Sequence, residues 1–287
     1  MDTLTNALAA SPALLYSTLA VLGLMVGSFL NVVILRMPKM LEARWKSECQ
    51  EFLGQTPEGA DTGRFNLAFP ASHCPSCGHA LRWWENLPLI SYLLLRGKCA
   101  SCKTRISPQY PLVEAAAALL AVLAASQVPF GGPLLLALAF VWVLLALTVI
   151  DLNTMLLPDQ LTLPLMWLGL LINISGMFAP LQDAVIGAAA GYLSLWSVYH
   201  GFRLLTGKEG MGYGDFKLLA ALGAWMGWQA LPGVILLSSL VGAILGIAMM
   251  LARGKDKNTP IPFGPYLAIA GLIWFFWGDV ILNAYLG

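Results

Sequence analysis

Charge is what this sequence has least of. Only 11% of its residues are Asp, Glu, Lys or Arg, against roughly 25% in an ordinary soluble domain. Hydrophobic residues make up 58% and the mean hydropathy is +0.74. Together these exclude a soluble globular protein and indicate an all-α polytopic membrane protein embedded in a lipid bilayer. The formal net charge is only +1, and no feature points to nucleic acid. Before the first apolar run there is no Lys or Arg, only Asp2, which does not fit the basic start of a signal peptide. The run itself, Ala13 to Leu35, exceeds the roughly 7–15 residues of a signal-peptide core, so an uncleaved first helix is expected. A Gly-x-Gly-x-x-Gly fingerprint is also missing, as is any internal repeat of broken helices.

The little charge present is concentrated. Ten of the 16 Lys and Arg lie between Arg36 and Arg105. Residues 37–111 therefore read as a polar domain in which Pro, Gly and charge interrupt every apolar run. Within it stand Cys74-Pro75-Ser76-Cys77 and Cys99-Ala100-Ser101-Cys102, the spacing of a closed four-thiolate zinc site. The expected geometry is two short knuckles whose backbone amides point at the sulfurs, with Gly78 suiting the first turn. Two disulfides or a redox pair are the alternative, and a cytosolic setting disfavours them. Four thiolates leave no open position, so the metal is expected to be structural. His73 and His79 are expected beside the ligands rather than among them, and Cys49 to be a free thiol. The stretch Trp83 to Lys98 is amphipathic and too interrupted to span. Either a membrane-interface segment or the floor of the metal domain accounts for it.

Seven more apolar runs follow: Leu112–Val128, Pro133–Ile150, Leu161–Phe178, Ala184–Leu204, Phe216–Trp228, Leu231–Ala252 and Phe263–Leu286. About eight transmembrane helices result, divided as a first helix at 13–36, the metal domain at 37–111 and a seven-helix core at 112–287. Alternate loops carry Lys and Arg: Arg203 and Lys208 with Lys217 beyond, then Arg253, Lys255 and Lys257. The positive-inside rule places those loops and the metal domain in the cytoplasm.

Two aspartates stand at the ends of apolar runs. Asp151 closes the third helix, and Asp215 opens the sixth within Gly212-Tyr213-Gly214-Asp215. The helix count puts both at the cytoplasmic face. An intramembrane carboxylate is expensive and marks a functional site. Two of them close together share a proton and serve as a general acid–base pair for water attack on a carbonyl. Asp215 could alternatively be a plain helix cap after a Gly-rich turn. Asp159 is expected to cap the fourth helix. Asn31 is expected to bond a neighbouring helix and Glu114 to be a solvated helix end. The acidic residues Glu42, Glu48, Glu51, Glu58 and Asp61 form either a solvated face or a surface for a basic peptide. Gly97 lets either a ligand or the metal knuckle come close.

The chain resembles the bifunctional type IV prepilin peptidases, Gly-x-Gly-Asp aspartic proteases of the bacterial inner membrane. The resemblance covers nearly the whole chain. It is carried by Gly27 to Pro38, the two Cys pairs, Asn86-Leu87-Pro88-Leu89, Asp151 with the later Leu157-Pro158-Asp159, and Gly210 to Lys217. It implies that Asp151 and Asp215 are catalytic. It implies cleavage of the basic leader of prepilins and pseudopilins after a glycine, then methylation of the new N-terminal amine by S-adenosylmethionine. The residues that would hold the methyl donor are not indicated. A proton- or cation-coupled transporter, or a non-catalytic pilus or secretion assembly factor, is the competing reading.

Overall fold

The computed structural model describes residues 2–55, 65–208, 210–253 and 262–286. These form helices without strands; the only β pairing among them is two isolated bridges, His73 with Ala80 and Lys98 with Arg105. Ten α-helices follow in order: α1 Asp2–Ala10, α2 Pro12–Phe52, α3 Ile90–Leu94, α4 Gln109–Gln127, α5 Gly132–Thr154, α6 Asp159–Ile172, α7 Leu181–Thr206, α8 Tyr213–Met226, α9 Ala230–Arg253 and α10 Gly264–Leu286. Each of the eight apolar runs falls on one of them. The chain divides into two compact units, Met1–Ala146 and Leu147–Gly287.

In the first unit α2 packs along α4. Small residues set the distance: a Cβ on Gly23 would lie 2.6 Å from the Ala118 Cα, and one on Gly27 2.6 Å from the Glu114 Cα. Such close backbone approach is how membrane helices gain contact without a hydrophobic driving force. Ser11 starts α2, its side chain accepting from the Leu14 N–H at 3.4 Å with Pro12 in the first turn, a favoured cap and first residue. The helix does not stop near Arg36 as expected. It runs through Pro38 to Phe52, 41 residues in all. Its last turns are polar and carry the exposed Arg44–Glu48 pair at 2.7 Å, four residues apart, which supports an isolated helix modestly. Proline costs one backbone bond there and does not end the helix.

In the second unit α8 is the centre. Every residue from Asp215 to Trp225 except Lys217 is buried, and α6, α7, α9 and α10 surround it. Gly191 lets α7 approach closely, since a Cβ there would sit 2.7 Å from the Leu219 carbonyl; Gly187 and Gly223 face each other in the same way. Trp225 donates from Nε1 to the Leu165 carbonyl at 2.8 Å. The buried Asn173 donates to the Ala224 carbonyl at 2.9 Å and accepts from the Phe178 and Ala179 N–H groups.

Among the described residues four helices are long and apolar enough to cross a membrane: α2, α4, α5 and α10. α6 and α8 have 14 residues each. Large apolar side chains remain exposed on many helices, among them Leu119, Leu135, Leu171 and Leu236. An apolar outer surface of this extent is what lipid covers.

Candidate active site

Asp151 lies three residues from the end of α5, where Met155 turns left-handed (φ 54°) and donates to the Asp151 carbonyl at 2.8 Å. Asp215 is the third residue of α8, and the backbone amide of Gly212 faces its carboxylate. Both aspartates are buried, at 4% and 6% exposure. They come near enough for the charge of one to act on the other. Asp151 Oδ2 is buried without a hydrogen-bond partner among the described residues. An orphaned carboxylate oxygen is costly, and it marks a place where a water or a substrate group belongs.

Two glycines shape this place. A Cβ on Gly214 would meet the Leu157 Cβ at 2.7 Å, so the loop after α5 lies directly on the turn that precedes Asp215. A Cβ on Gly264 would lie 2.6 Å from Asp151 Oδ2, and the Gly264 backbone amide faces that carboxylate. Sequence reasoning missed Gly264. Its only signal was a Gly-Pro pair opening the last apolar run, which says that a helix starts there but not what it starts against.

Asp159 is not a helix cap. Pro158 occupies the cap position without a side-chain bond, and the Asp159 carboxylate instead grips Lys217 Nζ at 2.7 and 2.8 Å. That pair ties the start of α6 to the first turn of α8. Lys217 therefore neutralises Asp159, leaving Asp151 and Asp215 as buried carboxylates close enough for one charge to act on the other.

The four cysteines converge in the first unit. The sulfurs of Cys74, Cys77, Cys99 and Cys102 all lie within 4.8 Å of one another. Cys74 to Cys102 is 3.8 Å and Cys77 to Cys99 is 4.0 Å. Tetrahedral Zn–S bonds of ~2.3 Å place sulfurs about 3.8 Å apart, so the set fits a metal ion. All four are free thiols, and these separations are far beyond a disulfide bond of ~2.05 Å. The two knuckles repeat one pattern. Gly78 N–H donates to the Cys74 carbonyl at 2.9 Å and Lys103 N–H to the Cys99 carbonyl at 3.1 Å, while Cys74 and Cys99 N–H groups reach the carbonyls of His79 and Thr104. Gly78 and Lys103 share the left-handed conformation, φ 70° and 61°. Backbone amides of Ser76 and Cys77 hold the Cys74 thiol below its ordinary range. The Thr104 hydroxyl and backbone pull Cys102 down to about 6. Cys77 goes the other way: the His79 backbone amide lowers it, but burial and the sulfurs of Cys102, Cys74 and Cys99 push it up to about 11, so Cys74 and Cys102 are the thiols readiest to meet a metal as thiolates.

His73 and His79 stay outside the four-sulfur cluster. His79 Nε2 sits 3.1 Å from the buried Glu85, which also accepts from the Arg82 N–H at 2.9 Å. Cys49 is exposed. Gly97 (φ 66°) packs on the Tyr92 ring, 2.9 Å from where its Cβ would be, and so serves the turn that closes α3. The exposed acids Glu42, Glu48 and Glu51 lie on the polar end of α2; Glu58, Asp61, Lys255 and Lys257 lie outside the described residues. Asn31 bonds α4 as expected, its Nδ2 donating to the Tyr110 carbonyl at 3.0 Å. Glu114 is not a solvated end. It is 8% exposed and accepts from the Leu89 N–H at 2.8 Å, because Gly27 brings α2 over it.

Residues 21–128 match the bacterial peptidase A24 N-terminal domain, and residues 138–247 match the type IV leader peptidase family. Proteins named prepilin leader peptidase/N-methyltransferase are similar along almost the whole chain. That of Aeromonas salmonicida is 59% identical over 276 residues, 96% of this chain and 95% of its own. The Pseudomonas aeruginosa protein is 57% identical over 283 residues, 99% and 97% of the two chains. The Xanthomonas campestris protein is 50% identical over 275 residues, 96% of each. No solved structure matches. With buried aspartates on α5 and α8 within reach of each other's charge and relatives this similar from end to end, the chain belongs to the type IV leader peptidase family.

Proposed function

We propose that the protein is a prepilin leader peptidase and N-methyltransferase of the bacterial inner membrane, with Asp151 and Asp215 as its catalytic pair. The observation that carries this reading is the aspartate pair itself: two buried carboxylates, one with an orphaned oxygen, at the junction of helix ends. Relatives bearing that name support the substrate, the leader of type IV prepilins and pseudopilins, and the methylation that follows. They lend nothing to a transporter or to an inert assembly factor.

In the cleavage step, one carboxylate takes a proton from water as the water oxygen attacks the scissile carbonyl. The other hydrogen-bonds the developing oxyanion and passes its proton to the leaving amine as the C–N bond breaks. No covalent intermediate forms. A substrate with a basic leader and a following apolar helix enters sideways from the bilayer. Its leader stays in the cytoplasm for the same reason that Lys and Arg do here, and its scissile bond stops where the aspartates lie.

The eight helices α2 and α4–α10 are assigned as spans, with the aspartates and residues 37–111 on the cytoplasmic side and residues 112–287 as the peptidase core. Zinc is the metal proposed for Cys74, Cys77, Cys99 and Cys102. It would supply cohesion to the polar domain and no chemistry. S-adenosylmethionine is the proposed methyl donor, which supplies an electrophilic methyl group.

The test is mass spectrometry of a prepilin-like substrate incubated in detergent with wild type, Asp151→Asn or Asp215→Asn, with and without the donor. Wild type should remove the leader and add one methyl group to the mature N-terminus only when the donor is present. Each variant should leave the leader attached. Cleavage by both variants at the wild-type rate would refute the assignment.

A further inference from the structure

A cavity of about 580 Å³ opens inside the first unit, walled by α2, the metal-bearing segment and the start of α4. Its size falls within the roughly 300–1,000 Å³ of small-molecule sites. None of the cleavage chemistry uses it.

One of its polar groups lacks the partner that burial demands, and a second is a buried carboxylate with no cation beside it among the described residues. Asn31 is 3% exposed. Its Nδ2 must face the Tyr110 carbonyl, which can only accept, so its Oδ1 is fixed on the other side and is buried with no partner. That oxygen requires an N–H or O–H donor or a cation. Glu114, one helical turn beyond Tyr110, accepts from the Leu89 N–H and from the Ser28 side chain. Among the described residues no cation pairs with it, and a buried carboxylate without one is costly. Gly27 is what brings these groups together, because only a glycine lets α2 lie against the Glu114 backbone.

The cavity's other charged residues include two that are already engaged. Arg36 holds the carbonyls of Asn66 at 2.9 Å and Pro70 at 2.6 Å, and Glu85 serves Arg82 and His79. What remains is the Asn31 and Glu114 acceptors on one hand and the cations Lys39 and Arg105 on the other, a set suited to a ligand that carries both a positive centre and a carboxylate, with Phe65, Tyr92 and Tyr110 in the walls for a flat ring.

We infer that this cavity is the methyl-transfer site: it takes the adenosyl-sulfonium donor together with the substrate's new α-amine, with Asn31 and Glu114 as the acceptors that face their positive charge. The inference rests on the proposal above that S-adenosylmethionine is the donor. Transfer needs the amine neutral and aligned. Glu114 accepts the ammonium proton. The freed lone pair forms the N–CH₃ bond while the S–CH₃ bond breaks, its electrons return to sulfur as a neutral thioether, and the proton passes on to solvent. Cys74 and Cys99 share the cavity wall, so the metal domain acts as a floor for the donor.

The experiment uses the full chain in detergent, with its metal content and melting curve as checks on folding. Binding of S-adenosylmethionine in the absence of prepilin is measured by calorimetry for wild type, Glu114→Gln and Asn31→Ala. Glu114→Gln retains an acceptor for the Leu89 N–H while losing the charge. Binding should weaken by about tenfold or more in each variant. Independently of any variant, ultraviolet cross-linking of radiolabelled S-adenosylmethionine to wild type should mark peptides from residues 28–36, 65–92 or 107–114. Wild-type binding with label confined to residues 147–287, or with both variants binding normally, overturns the cavity while leaving the donor intact. If wild type neither binds S-adenosylmethionine nor methylates, the donor proposal fails and this inference falls with it.

Discussion

Gly264→Ala would place a methyl group 2.6 Å from Asp151 Oδ2 and 3.2 Å from its Cγ, with Leu157 Cδ1 3.1 Å away. Ordinary contact begins near 3.4 Å, so the carboxylate or the start of α10 must shift by about 0.8 Å. Gly264 is a helical residue without positive φ, and alanine is the better helix former. The substitution therefore carries no backbone strain to confuse the result. Its whole effect is to push on Asp151. A displacement near 1 Å in a positioned catalytic group costs about 10²-fold, equivalent to about 2.7 kcal/mol of transition-state stabilisation. The assay is kcat/KM for leader removal, with the melting temperature as a check on folding. Gly201→Ala is the control: it sits in α7 with nothing within 4 Å of a new Cβ and should stay within about twofold of wild type. Gly214→Ala, whose Cβ would strike Leu157 at 2.7 Å, should also slow cleavage, since it moves the turn before Asp215. A folded Gly264→Ala protein that cleaves like the Gly201→Ala control would refute the placement of the reacting group at Asp151.

The metal domain gives three further expectations. After chelation, Cys102 should be alkylated by iodoacetamide with a midpoint near pH 6 because its thiol is lowered to about 6 by Thr104, well under the ~8.5 of a free thiol; Thr104→Val should move the midpoint upward, as read by peptide mass spectrometry. Glu85 is held below its ordinary 4.5, first by the Arg82 backbone N–H and then by His79. Its contribution to stability is thus present above that pH and is lost as pH falls through the lowered value; Glu85→Gln should melt earlier at neutral pH and lose less on acidification below pH 4.5. Gly78→Ala meets no atom within 4 Å but keeps φ +70°, so it should cost about 1–2 kcal/mol from backbone conformation alone and speed metal loss to a competing chelator.

How much was legible follows from what patterns can carry. Apolar runs are a one-dimensional signal, and all eight fall on helices. The cysteines were legible because their ligand spacing lies within each local turn, and the Gly78 turn has a counterpart in Lys103 that no propensity would have chosen. Asp151 and Asp215 were visible because charge is rare at the ends of apolar runs. What failed was adjacency. Pro38 reads as a stop, yet α2 continues, because a polar helix with an Arg44–Glu48 pair tolerates one lost bond. Asp159 reads as a cap until Lys217, distant in sequence, arrives beside it. Glu114 reads as a solvated end, and only the contact of Gly27 with its backbone reveals that it is covered. Gly264 could not be found at all, because its role is defined by the Asp151 oxygen it leaves room for.

The length of α8 accounts for the burial on which the proposed role of Asp215 depends. Fourteen residues rise about 21 Å, short of a hydrocarbon core of about 30 Å. The far end of α8 is fixed: Asn173 satisfies the Ala224 and Trp225 carbonyls, and the Trp225 ring is bonded to Leu165. The near end is tied by Lys217 to Asp159. A short helix held at both ends cannot slide to bring its first turn into bulk water. Asp215 is thereby kept at a depth where its carboxylate is buried, and Gly214 and Gly264 let Leu157 and Asp151 close over the same spot. A full-length helix would carry Asp215 out to the headgroups. There water would screen the two carboxylates from each other, and the mutual influence on which the proposed acid–base pair depends would be lost.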